Sequence, residues 1–189
     1  FVGFLDSDDR YLPEFLERQI ARLEAEPAAD MVLCDVRYVG AWPRDWKTVF
    51  GRRTPPVSMD DMLAGSWFVP VGMLLRREVA QAIAFDTEVY FEDTDFLFRY
   101  FAAGHHAVLL PEVLAEYVKQ ATPNGAPQKT DERLRKRREM LLFQERYAGH
   151  ATNPDAHTVR LHRRWVKYHL ASGDRAAAGQ RAGEWWRCR

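Results

Sequence analysis

Acidic residues are concentrated at two places in the N-terminal half of the chain, and carboxylates hold hard metal ions or accept protons. At the first place, Asp6, Asp8 and Asp9 follow directly on the apolar run 1–5. Alternate Asp residues in a turn at the end of a buried strand can direct oxygen ligands at one Mg²⁺ or Mn²⁺. Asp is equally common in Asx turns and at helix N-caps, so the spacing leaves both interpretations open.

The second place is Glu92-Asp93-Thr94-Asp95, at the start of a segment with strong helical periodicity, 89–104. Asp93 precedes Leu97 by four residues and therefore shares its core-facing stripe. A carboxylate there would point into a cleft from a rigid helix end, which suits a general base. The alternative is that the cluster only complements the helix dipole, which favours acidic residues in a first turn.

The hydrophobic pattern predicts the elements that position these clusters. It gives strands at 1–5, 31–40, 68–77, 106–111 and 113–120, separated by helices. One predicted helix follows Pro13 and has Leu16, Ile20 and Leu23 as its buried stripe. A second runs from the cap Ser58 through Leu63, and a third covers 77–85. The fourth covers 89–104, with Gly104 as its C-terminal cap.

The C-terminal third reads as helix only. A loop at 121–130 separates an α/β domain, 1–120, from predicted helices at 131–147, 157–173 and 174–187. The sequence therefore predicts an α/β domain, a linker and a small α-helical appendix spanning 131–189.

Charge is divided between these parts although the 189 residues sum to a net charge of zero. Residues 1–130 contain 13 Lys+Arg and 20 Asp+Glu, a balance of −7, and residues 131–189 contain 14 and 7, a balance of +7. The acidic body argues against nucleic acid as a partner. The basic helices, with Trp185 and Trp186, allow peripheral contact with an anionic membrane or ordinary helix packing.

Location is predicted from what the sequence lacks. No stretch approaches the roughly 20 apolar residues of a membrane span, and the N-terminus does not resemble a secretory leader. The two cysteines, Cys34 and Cys188, have no metal or disulfide spacing. We therefore expect a cytoplasmic location, with the inner face of a membrane as the peripheral alternative.

Together, the two acidic clusters and the segments between them resemble the family 2 glycosyltransferases of the GT-A fold. The matching pieces are FVGFLDSDDRYLPEFLERQI, the strand DMVLCDVRYV and the segment VGMLLRREVAQAIAFDTEVYFEDTDFLFRYFAAGHHAVLLPEVLAEY. They cover residues 1–117 in the family's order: a strand-end D-S-D-D, a small-residue strand, F-D, and an E-D-x-D helix ending in R-x-x-x-A-G.

The resemblance implies a mixed α/β sheet with flanking helices. In the family the D-x-D strand lies in the middle of the catalytic domain, after the βα units that hold the nucleotide base. The chain is therefore expected to be N-terminally incomplete, with the base-binding part preceding Phe1.

The resemblance also implies roles for the acidic residues. Asp6 and Asp8 would hold Mn²⁺ or Mg²⁺, and Asp9 would join them in contacting the diphosphate of a nucleotide-sugar donor. Asp93 would deprotonate the hydroxyl of a sugar or lipid-linked acceptor, so that transfer inverts the anomeric carbon, and Glu92 would orient that acceptor. The implied activity is sugar transfer in glycan or polysaccharide synthesis.

The roles of three further residues are weighed against alternatives. Trp67 could stack on an acceptor sugar, although aromatic residues in such a position are at least as often core. Arg99 matches the family's helix arginine and is interpreted as structural. Many relatives carry Tyr-x-x-His after the last strand. Here Gln120 stands at the position of that His, so the motif does not supply a third protein ligand for the metal.

Two other interpretations compete. Haloacid-dehalogenase-like phosphatases also have an apolar strand ending in D-x-D, but Asp9 and Arg10 follow here in place of Thr or Val and a small turn. Their charge-balancing lysine is also hard to find, because Lys47 is the only lysine before Lys119. The second alternative is a non-catalytic remnant that acts through association at an exposed sheet edge.

Overall fold

The computed structural model describes residues 1–43, 47–66, 68–119 and 130–188, in which an α/β part is followed by helices. The strands are β1 (Val2–Gly3), β2 (Arg10–Tyr11), β3 (Met31–Gly40), β4 (Met73–Leu75) and β5 (Ala107–Lys119). The helices of the α/β part are α1 (Phe15–Ala25), α2 (Met59–Ala64), α3 (Arg77–Ile83) and α4 (Glu92–Ala102). The C-terminal helices are α5 (Thr130–Arg146), α6 (Pro154–Ser172) and α7 (Arg175–Arg187).

The strands form one mixed sheet in the order β1-β4-β3-β5-β2. β3 and β5 run parallel in its centre, while β4, β1 and β2 pair antiparallel with their neighbours. Helices flank this sheet, so the architecture is the GT-A-like α/β fold with C-terminal helices that the sequence predicts.

The sheet is curled, because β1 and β2 lie at its opposite edges although only residues 4–9 separate them. In a flat sheet four inter-strand steps would place the edges about 19 Å apart. The short connection contains a turn, so it cannot be fully extended, and the curl brings the edges closer. Tyr11 Oη donates a hydrogen bond to Phe4 O at 2.9 Å, which ties the two ends of the connection together.

One prediction that the structure corrects is the pair of strands at 106–111 and 113–120, which form the single strand β5 over its described length. Leu110 pairs with Cys34 and Val113 pairs with Asp35, so residues 111 and 112 are passed over in the register. This irregularity accommodates Pro111, which has no N–H to donate to a neighbouring strand.

The predicted buried face of α1 is wrong in detail. Helix α1 buries Phe15, Gln19 and Leu23, whereas Leu16 is 54% exposed. The face is set by Phe15, whose ring stacks on Tyr11 with 3.6 Å between ring centroids.

The predicted strand 68–77 is reduced to β4 by a 3-10 turn at Pro70–Gly72. Gly72 is required there, because a Cβ on it would lie 2.5 Å from the ring of Phe68 and 2.7 Å from a methyl group of Val36. The predicted strand 1–5 is likewise reduced to β1.

Two predicted helix-terminal residues are confirmed, whereas the helix predicted at 89–104 begins only at Glu92 and the one predicted at 77–85 ends at Ile83. Ser58 Oγ accepts from Asp61 N at 3.2 Å and caps α2. Gly104 follows α4 with φ of +84°, the left-handed conformation that favours glycine after a helix.

The C-terminal helices pack on the α/β part. Phe98 of α4 lies 5.8 Å from Phe143 and 5.1 Å from Tyr147, measured between ring centroids, and Phe143 belongs to the main buried cluster. Leu141, Leu161 and Trp165 form a second cluster between α5 and α6. Among the described residues, no helix is both long and apolar enough to cross a membrane.

Candidate active site

The acidic turn, residues 6–9, holds carboxylates in two different environments. The turn is closed by a hydrogen bond from Asp9 N to Asp6 O at 3.1 Å. Asp6 and Asp8 are exposed, whereas Asp9 is 8% exposed and its Oδ1 accepts from Val118 N at 2.9 Å. Burial raises the pKa of Asp9 to about 6 despite this bond, with smaller contributions from the charges of Asp6 and Asp8. Asp9 therefore anchors the turn to β5.

The first turn of α4 carries the second acidic cluster. Phe91, the residue before α4, provides no side-chain cap for the helix. Within the first turn, Asp93 Oδ1 accepts a hydrogen bond from Thr94 N at 2.6 Å. Glu92 is exposed and Asp93 is partly buried. Burial raises the pKa of Asp93, and the charge of Glu92 raises it further, while the Thr94 N–H opposes the shift. A raised pKa makes this carboxylate a better proton acceptor.

The third acidic residue of that cluster, Asp95, has a structural role. It is 1% exposed, and its Oδ2 accepts from Arg99 Nε at 2.6 Å. Arg99 also donates to the carbonyl oxygens of Ile83 and Ala84, at 2.9 Å in the case of Ala84. Ala84 has φ of +51°, a strained conformation for a residue with a side chain. Arg99 thus holds a strained turn, which agrees with the structural role expected for it.

A cleft of about 640 Å³ joins the two clusters. Its lining includes Asp6 from the acidic turn and both Glu92 and Asp93 from the start of α4. The loop from Phe85 to Thr87, which follows the strained turn, forms another part of the wall. Three of the residues singled out from the sequence are therefore brought together around one space.

Phe85 gives this cleft an apolar surface. Its ring packs on Phe4 at 5.1 Å and on Phe96 at 5.3 Å between centroids, yet 41% of the residue remains exposed. An aromatic ring that packs on other rings and is still partly exposed can cover the apolar face of a sugar ring. In the sequence this residue stands out only as the first residue of the F-D pair, which by itself indicates no role.

The charges of both acidic clusters act on the phenol of Tyr117. Tyr117 lies on β5 and lines the cleft, and the pKa of its phenol is raised, first by burial and then by the charges of Asp9, Asp6, Asp93 and Asp8. The phenol therefore stays protonated and can donate a hydrogen bond within an otherwise acidic surrounding. Its only sequence signal was its place at the start of Tyr-Val-Lys-Gln.

Other predicted site residues lie elsewhere. Asp8 is exposed in the turn but is not part of the cleft lining, and Asp9 is turned toward Val118. Trp67, expected to contact the acceptor, and Gln120, at the position of the family's His, fall outside the described residues.

The donor set suits a metal ion that arrives with a phosphate ligand. Within the described parts of the chain, no group of three His, Cys, Asp or Glu side chains could hold a metal ion. Asp6 and Asp8 nevertheless present accessible carboxylates two residues apart. Mg²⁺ is usually bound by one or two carboxylates together with substrate phosphates and water, so this pair fits such an ion.

A GT-A-like sheet and two acidic clusters at one cleft are the features expected of a glycosyltransferase. Comparison with protein-family models agrees: the model described as Glycosyl transferase family group 2 matches residues 1–173. The chain belongs to this family and is of the glycosyltransferase class, which decides against the phosphatase interpretation. The match extends through α5 and α6, beyond the segment whose motifs carry the resemblance. Comparison with curated proteins found no match.

Proposed function

We propose that the chain is an inverting, metal-dependent glycosyltransferase that moves a sugar from a nucleotide-sugar donor to a hydroxyl group of a sugar or lipid-linked acceptor. Family membership gives glycosyl transfer in general. The observation that carries the finer proposal is the shared cleft, in which Asp6 lies in the same lining as Glu92 and Asp93. The biological setting that we propose is glycan or polysaccharide synthesis.

Asp93 acts as the general base. Its carboxylate takes the proton of the acceptor hydroxyl while that oxygen forms a bond to the anomeric carbon and the bond from this carbon to the donor diphosphate breaks. A single displacement of this kind inverts the anomeric centre. The raised pKa of Asp93 and its partial exposure in the cleft support this role.

Asp6 and Asp8 would hold Mn²⁺ or Mg²⁺ at the donor diphosphate. Such an ion, when bound, supplies Lewis-acid stabilisation of the negative charge on the leaving nucleoside diphosphate. Asp9 supports the turn through its bond to Val118 N, so we assign it an indirect part in donor binding.

Glu92 and Trp67 are proposed to contact the acceptor. Glu92 is exposed beside Asp93 in the cleft lining, where a carboxylate can accept a hydrogen bond from a sugar hydroxyl. The role of Trp67 rests on the sequence. Phe85 offers an aromatic surface that lies in the cleft.

The proposal is tested by measuring release of nucleoside diphosphate from a panel of nucleotide sugars by the full-length protein, with Mn²⁺, with Mg²⁺ and with a chelator. We expect release that requires the metal and that falls strongly in Asp6→Asn. Glu88→Gln is the matched control, because Glu88 is exposed near the cleft but is not part of its lining.

Two outcomes would contradict the proposal. Release that is unaffected by the chelator would remove metal dependence. Failure of every nucleotide sugar to be consumed or to bind would favour the non-catalytic alternative.

A further inference from the structure

A second surface, which is basic where the cleft is acidic, consists of three adjoining depressions. The first, of about 450 Å³, lies between Arg52 and Gly65 and shares Gly65 with a second of about 260 Å³. The second shares Arg164 with a third of about 270 Å³ on α6. The lining residues, all of them in the described part of the chain, include seven cations and no Asp or Glu. We call the seven the basic face: Arg52, Arg53, Arg137, Arg160, Arg163, Arg164 and Lys167.

Four of these cations occupy one side of α6. Arg160, Arg163, Arg164 and Lys167 follow the spacing i, i+3, i+4 and i+7, which places them on one helical face. The next position on that face is Leu170, which is 58% exposed. The side of α6 that carries Leu161 and Trp165 is buried against α5 instead. Arg160, Arg163 and Lys167 are thus exposed together with an apolar side chain, while Arg164 between them is partly buried.

Arg164 is fixed in place by neutral partners. It donates to Leu63 O and to Gln144 Oε1, each at 2.9 Å, and to Ala64 O at 2.7 Å. These acceptors orient the guanidinium without neutralising its charge. Burial lowers the pKa of Arg164, and the like charge of the neighbouring Arg160 lowers it further.

We propose that the basic face binds the phosphate groups of anionic phospholipids and seats the chain on a membrane surface. The depressions are open and adjoin one another, which suits several headgroups better than one enclosed ligand. Leu170 gives an apolar contact of the kind that interfacial helices insert at the headgroup boundary. Nucleic acid is disfavoured by the balance of −7 in residues 1–130. This inference goes beyond the proposed function and does not depend on it.

The test is flotation of the full-length protein with vesicles of phosphatidylcholine, with and without phosphatidylserine, at low and high salt. We expect binding only to the anionic vesicles and its loss at high salt. The triple variant Arg160→Gln, Arg163→Gln and Lys167→Gln changes three exposed residues, so folding should be preserved. Each basic residue at a membrane surface contributes about a fivefold factor, so binding should weaken roughly a hundredfold.

The matched control removes the same charge elsewhere. Arg133, Arg146 and Arg175 are exposed on the C-terminal helices but line none of the three depressions. Replacing all three with Gln should leave most of the binding intact. Equal loss in both triple variants would overturn the proposal in favour of a non-specific charge effect.

Two additional arms separate other ligands. Inorganic pyrophosphate at low concentration should not displace the protein from anionic vesicles, and displacement would indicate a soluble phosphate ligand. Tighter binding to duplex DNA or to RNA than to the vesicles would likewise overturn the lipid assignment.

Discussion

The two acidic clusters are similar in composition, but each divides its carboxylates between opposite roles. In the turn, Asp6 lines the cleft while Asp9 is buried and accepts from Val118 N. At the start of α4, Asp93 lines the cleft while Asp95 is buried and paired with Arg99. In each cluster an Asp that lines the cleft is thus available to a ligand, and a buried Asp fixes the backbone that presents it.

This division shows why a run of acidic residues is a poor guide to which carboxylate does the chemistry. A buried carboxylate needs a partner to offset its lost hydration, and both buried residues have one. Asp6 is exposed and Asp93 is partly exposed in the cleft, which is what a ligand requires.

The largest effect is expected for Asp93→Asn. The substitution keeps the shape of the side chain but removes the proton acceptor, so transfer should fall about 10²- to 10⁴-fold. Donor binding should be nearly unchanged, because the proposed donor contacts lie on the acidic turn. The measurement pairs a transfer assay with a donor-binding assay, and Glu88→Gln serves as the control. Near-normal turnover would show that Asp93 only caps α4 and would direct the search for a base to Glu92.

Arg99→Gln should cost about 3 kcal/mol in the free energy of unfolding, because it leaves the buried Asp95 without its ionic partner. The same variant releases the carbonyls of Ile83 and Ala84. Urea unfolding provides the measurement. The control is Arg77→Gln, an exposed arginine, which should change stability by less than about 0.5 kcal/mol. Equal stability of the two variants would remove the structural role from Arg99.

Asp9→Asn should change the dependence of stability on pH. The pKa of Asp9 is raised from 3.8 to about 6 on folding, so the folded state holds its proton more tightly than the unfolded chain does. The stability of the metal-free wild type relative to the Asn variant should therefore fall as pH rises from about 4 to about 6. Above pH 6 the variant should be more stable by about 1–2 kcal/mol. Parallel stability curves for the two proteins would contradict this assignment.

The smallest effect is expected at the strained turn. Glycine adopts positive φ without strain, so Ala84→Gly should stay within about 0.5 kcal/mol of the wild type. Ala103, which is also exposed but has φ of −76°, provides the control, and Ala103→Gly should lose about 0.5–1 kcal/mol. A larger loss at Ala84 would mean that its conformation is not strained.

Much of the fold could be predicted because it depends on local signals. The periodicity of residues 31–40, the cap at Ser58 and the glycine after α4 each act within a few residues, and the structure confirms them. The buried face of α1 could not be read in the same way. It depends on the packing of Phe15, which stacks on Tyr11 and is buried in the main core, and the periodicity of the apolar residues does not select that face.

The cleft was predictable in part for the same reason. Asp6, Glu92 and Asp93 could be named from their motifs, but their common lining depends on the curl of the sheet. The separation of Asp9 from Asp6 depends on a backbone N–H of β5, 109 residues along the chain from Asp9. Tyr117 enters the cleft through that same strand. No spacing within the acidic clusters contains this information.

The most direct test of the division between cleft-facing and buried carboxylates is a calorimetric titration with nucleoside diphosphates in the presence of Mn²⁺. It is carried out on the wild type, Asp6→Asn and Asp9→Asn, all in the full-length protein. We predict that Asp6→Asn weakens binding at least about tenfold, since it removes a charged ligand, while Asp9→Asn keeps near wild-type affinity because its amide oxygen can still accept from Val118 N. Equal affinity in the wild type and Asp6→Asn, or a loss confined to Asp9→Asn, would contradict the account.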